Sequence, residues 1–75
     1  MNTEALIEKM RSTIELYKKQ FADQKPLFEA KQITYQMMIT NQARIDGRIQ
    51  GMREAIRQIQ ATANNLTLEE SLANL

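Results

Sequence analysis

Apolar residues recur at Ile7, Met10, Ile14, Tyr17 and Phe21, alternating by three and four. That spacing lays them along one side of an α-helix as a narrow stripe. Leu6 and Leu16 widen the stripe on its flanks. Asn2 or Thr3 is suited to cap the start, and Glu4 sits in the first turn, where the helix dipole favours an acid. Glu15 precedes Lys18 and Lys19 at the spacings that support ion pairs along a helix. The pattern predicts a first helix over about residues 3–23.

Pro26 is the strongest local break. A proline pushes the residue before it out of helical geometry and suits the first position of a new helix. The expected turn is therefore Asp23 to Lys25, with two antiparallel helices on either side. The competing expectation is one long helix kinked at Pro26.

From Phe28 onward a heptad register runs through Lys31, Tyr35, Met38, Gln42, Ile45, Ile49, Met52, Ile56, Ile59, Ala63 and Leu66. It predicts a second helix over about 26–63, roughly 57 Å long at 1.5 Å per residue. Asn64-Asn65 is expected to end it. Thr67-Leu68-Glu69-Glu70 has the form of a capping box, and would start a short helix over about 68–74 carrying Leu68, Leu72 and Leu75. The expected fold is all-α: a single domain over 1–75, an antiparallel helical hairpin with a long second helix and a short third one, self-associating into a bundle.

The reason for expecting self-association is a mismatch in length. Folded back from Pro26, the first helix would run out near Gly47 to Gly51. Met52, Ile56, Ile59 and Ala63 would then have no partner within the chain. Each large side chain left exposed forfeits roughly 1.5–3 kcal/mol. Ile45, Ile49, Met52, Ile56 and Ile59 are thus the expected self-association seam. Leu27, Phe28, Ala30, Ile33, Tyr35, Met37, Met38 and Ile39 surround most of the second helix's first half, which points to burial on several sides. Gln42, a polar residue within the seam, is a candidate for setting register or a partly exposed amide at its edge.

Ala43, Gly47, Gly51 and Ala55 form a second stripe, spaced by four and about 140° from the seam. Glycine inside a helix costs about 1 kcal/mol relative to alanine. Close approach of another backbone would offset that cost; exposed small positions without a partner are the alternative. Tyr17, Phe21, Phe28 and Tyr35 are expected to close the hairpin near its turn.

Composition narrows the function. The chain has 75 residues, 43% of them apolar and 25% charged, in the range of a globular domain. Ten basic and nine acidic residues leave a charge of +1, far from that of a strongly basic nucleic-acid binder. With neither His nor Cys there is no disulfide, no thiol chemistry, no Cys/His zinc site and no imidazole catalysis. No phosphate-binding glycine loop occurs, and no paired nucleophile and base. No catalytic residue, metal ligand or cofactor is assigned, and the chain is not expected to be an enzyme.

Arg44, Arg48, Arg53 and Arg57 are the candidate anion-binding residues. On one helix the first two flank one side of the seam and the last two the other. They would gather only at a subunit interface; otherwise their stems cover the seam. The opening residues lack the basic and apolar regions of a secretory leader, and no apolar run approaches a membrane span. The initial Met fits a complete small cytoplasmic protein. The expected function is a protein-interaction or assembly module acting through second-helix surfaces. Its partners would be copies of itself and another protein. Binding of nucleic acid or a small anionic ligand by the arginines is the alternative.

Overall fold

The computed structural model describes the backbone of residues 3–73 and the side chains of residues 3–63. It contains two helices, α1 (Thr3–Glu29) and α2 (Tyr35–Ala73), and no strand among the described residues. They pack as an antiparallel hairpin 65 Å long and 18 by 13 Å across. The radius of gyration is 18.3 Å, against about 11 Å for a compact chain of this length.

The turn lies further along the chain than Pro26 suggests. α1 continues through Pro26 to Glu29. Pro26 has no N–H to give the carbonyl of Ala22, and both residues are exposed, which leaves that site open to water. Pro26 itself accepts from Ala30 N at 2.9 Å, as any helical carbonyl would. The helix ends where Lys31 takes a left-handed conformation, φ 61°. Gln32 N donates to Leu27 O and Lys31 N to Phe28 O, both at 2.9 Å. These are the two bonds of a Schellman cap, formed without its usual glycine.

α2 starts at a capping threonine. Thr34 Oγ1 accepts from Met37 N at 3.1 Å, and Thr34 O accepts from Met38 N at 3.0 Å. Phe28 and Tyr35 close the turn edge to face, with ring centres 5.8 Å apart. The apolar residues from Leu27 to Ile39 therefore do not encircle one helix. Leu27 and Phe28 belong to α1, Ala30 and Ile33 to the turn, and only Tyr35 onward to α2. The first two positions of the expected heptad series, Phe28 and Lys31, fall outside α2 for the same reason.

At the far end α2 runs unbroken through Asn64-Asn65 and Thr67 to Ala73. No Gly or Pro interrupts it there, and Asn costs only about 0.7 kcal/mol in a helix, too little to stop a long one. The expected break at 64–65 and the separate helix over 68–74 are thus replaced by one continuous element. Leu75 lies outside the described residues.

Moving the turn to residues 30–34 changes what α1 covers. Gln24 Oε1 accepts from Asn41 Nδ2 at 2.9 Å, which sets the register of the pair. Ile7, Ile14, Ile45, Ile49 and Ile56 form the core, with Met10, Tyr17, Met52 and Ile59 packed on it. Ile56 is buried against α1, so the seam beyond Gly51 is not left uncovered. The length mismatch moves outward: α1 covers the seam as far as Ile59, and α2 outruns it only beyond about residue 62. No described side chain is fully buried, because each helix has one neighbour only.

Candidate functional site

The expected self-association seam is the internal core. Ile45, Ile49 and Ile56 are buried, while Met52 and Ile59 are half-buried beside them. Gln42 is half-buried at the seam's edge.

The two flanks of this seam differ in chemistry. One flank is laced with charge. A groove of about 310 Å³ is lined by Arg11, Ile14, Glu15, Lys18, Arg53 and Ile56. It continues into one of about 280 Å³ lined by Lys18, Phe21, Asp46, Ile49 and Arg53. Glu4 and Glu8 lie nearby with Arg11, Glu15 and Gln60 around a wider depression. Lys18 Nζ meets Glu15 Oε1 at 3.1 Å. Cations and acids here offset one another.

The opposite flank carries cations without acids. Its groove, about 230 Å³, is lined by Gln20, Gln24, Asn41, Arg44, Ile45 and Arg48. Neither Arg44 nor Arg48 forms an ion pair among the described residues. At 100° per residue, Leu6, Met10, Thr13 and Tyr17 of α1 share this side with Met52, Ala55 and Ile59 of α2. All of these but Leu6 are half-buried. The flank is thus apolar and amide-lined with two unpaired guanidinium groups.

The four candidate arginines do not converge within the chain. Arg44 and Arg48 line one groove and Arg53 the other. Arg57 Nη1 pairs with Glu54 Oε2 at 2.9 Å on the surface. This split follows from the helical spacing and was legible in the sequence. The amides that complete the Arg44/Arg48 groove, Gln20 and Gln24, were not singled out, because only the true hairpin register brings α1 beside those arginines.

The small-residue stripe faces open space. Ala43, Gly47 and Gly51 are exposed and Ala55 is half-buried. A Cβ added at Gly47 or Gly51 would have no neighbour within 4 Å. Nothing in the hairpin itself uses the absence of a side chain there.

Around the turn, Tyr35, Met37 and Ile39 are exposed, Tyr35 by 61%. Tyr17 joins the core, while Phe21 is 36% exposed over the charged groove. The four aromatics thus do not form one cluster. Among the described residues no group of three or more acids could hold a metal ion, and no helix is long and apolar enough to cross a membrane. No family model matches the chain, and neither curated proteins nor solved structures show a match to it.

Proposed function

We propose that the chain is a non-enzymatic assembly module that works by helix–helix contact, pairing with itself and holding another protein in the cytoplasm. The observation that carries this reading is the half-buried flank of α1 and α2 that includes Arg44 and Arg48 but no acid. A two-helix hairpin in which no described side chain is fully buried has little core of its own. Covering a flank with a further helix is the simplest way to enlarge that core. The lack of His and Cys weighs in the same direction, since both are common carriers of catalysis.

The same pair of arginines favours a second reading, the binding of a nucleic acid or a small anion in their groove. Salt separates the two. An anion binder should hold mixed DNA or RNA at low salt and lose it steeply as salt rises, through counterion release. An assembly module should bind little nucleic acid at any salt and show a mass above 8.7 kDa in sedimentation at micromolar concentration. Tight, salt-sensitive nucleic-acid binding by a chain that remains monomeric would replace the first reading with the second.

A further inference from the structure

We propose that two copies pair through α2 in antiparallel fashion, so that Arg44 and Arg48 of each chain meet Glu69 and Glu70 of the other. This inference rests on the self-association reading above and names its interface.

The first observation is that, among the described residues, no acid lines the groove of Arg44 and Arg48. Their groove holds two cations, three amides and Ile45. The other flank already balances its own charges, with Glu15 and Asp46 beside Lys18 and Arg53. A covering surface with acidic groups is therefore wanted on one flank only.

The second observation is that the chain carries such a segment. After Arg57 it contains no base, and its only charged side chains are Glu69 and Glu70, set among Leu66, Leu68 and Leu72. α2 is helical through this stretch to Ala73. α1 does not reach it: with Asn41 beside Gln24, the helix start at Thr3 falls opposite about Thr62. The last turns of α2 project past α1.

The third observation is periodicity. Arg44 and Glu69 are 25 residues apart, close to seven helical turns; Arg48 and Leu66 are 18 apart, five turns. All four positions therefore fall on one side of α2, cations toward one end and Glu69 toward the other, with Glu70 about 100° further round. Such a stripe is complementary to its own reversed copy. A two-fold axis passing between Gln58 and Ile59 sets position 48 opposite 69, 51 opposite 66 and 55 opposite 62. A parallel pairing would instead set like charges side by side.

Size agrees with this. The overlap from Arg44 to Ala73 is about 45 Å of helix. The hairpin is 18 Å wide up to about residue 62 and a single helix about 10 Å wide beyond it, so the overlap offers about 650 Å² per chain, the low end for a specific interface.

The test is a charge exchange. One variant is Arg44→Glu/Arg48→Glu, a second Glu69→Arg/Glu70→Arg. Each alone sets like charges together, and its self-association at low salt should weaken by about tenfold or more. Mixed, the two variants restore both complementary sets, and a heterodimer should form with close to wild-type affinity. Both arginines are exposed, so the first variant should remain helical by circular dichroism, and the same measurement checks the second. If the wild type self-associates but the exchanges leave it unchanged, or if mixing rescues nothing, the proposed interface is wrong while self-association stands. If the wild type is monomeric throughout, the self-association reading fails and takes this inference with it. Loss of nucleic-acid binding in the first variant, with unchanged self-association, would also overturn it.

Discussion

The two flanks of the hairpin share the same seam of isoleucines, yet one mixes cations with acids and the other does not. On the flank of Arg11, Glu15, Lys18, Asp46 and Arg53, side chains of both signs meet over the groove, and Glu15 and Lys18 pair at 3.1 Å. On the flank of Gln20, Gln24, Asn41, Arg44 and Arg48 the cations stand among amides, and the apolar residues beside them remain half-buried. A water-facing helix surface usually mixes its charges; a surface meant for another helix keeps a coherent sign and apolar area. Hydrophobic periodicity identifies the seam, whereas charge placement distinguishes its two sides and, on the proposal above, marks the side that takes a partner.

The largest expected effect concerns what the flanks have in common. Ile56→Asp buries an unpaired carboxylate between α1 and α2 and should cost about 4 kcal/mol or more. Helicity should be lost at every protein concentration, because the damage is inside one chain. A variant that stays helical when dilute and merely fails to associate would mean that Ile56 faces a second chain instead.

The flanks exist in this form only if the turn follows Pro26. With Pro26 inside α1 on an exposed face, Pro26→Ala should raise stability by about 2 kcal/mol: roughly 3 from helix propensity, less about 1 for a freer unfolded chain. A proline that shaped the turn would give the opposite sign in denaturant unfolding.

How much of this was legible in the sequence follows from these residues. The three-and-four spacing from Ile7 to Tyr17 and from Ile45 to Ile59 marks the core faces correctly, because helical period and burial agree there. The turn was not legible. Pro26 is the loudest local signal, yet α1 runs through it on an exposed face and continues to Glu29. The actual stop at Lys31 lacks the glycine that advertises a left-handed cap, while both glycines of the chain lie within α2. Misplacing the turn by about eight residues leaves Ile56 without a partner in the chain, whereas the actual register buries it against α1. The Arg44/Arg48 and Arg53/Arg57 split survives that error, since it depends only on spacing within α2.

The glycines sharpen the contrast between dilute chain and assembly. Gly47→Ala/Gly51→Ala adds two methyls to open space and should stabilise the dilute chain by up to about 2 kcal/mol, a rise of several degrees in Tm. Against a second α2, the methyl at position 51 crowds the residue opposite, so self-association should weaken in sedimentation. A higher Tm with unchanged association would place position 51 outside any interface.

The smallest effects compare the flanks directly. Lys18→Ala removes an exposed ion pair and should change stability by no more than about 0.5 kcal/mol, independent of protein concentration. Arg48→Ala should be equally silent in dilute thermal unfolding, but should lower Tm at high protein concentration, where a bound partner adds to stability by mass action. Identical concentration dependence for the two variants would remove the distinction between the flanks.

The central claim, that copies of the chain pair through α2, is tested most directly by one distance. The chain has no cysteine, so Gln58→Cys introduces a single thiol, at an exposed position beside the proposed two-fold axis. With a nitroxide on that thiol, pulsed dipolar spectroscopy at micromolar concentration should give one narrow distance near about 20 Å, the separation of two packed helices plus two label arms. An absence of dipolar coupling under conditions where sedimentation gives 8.7 kDa, or a long separation in a chain that does associate, would contradict pairing through α2.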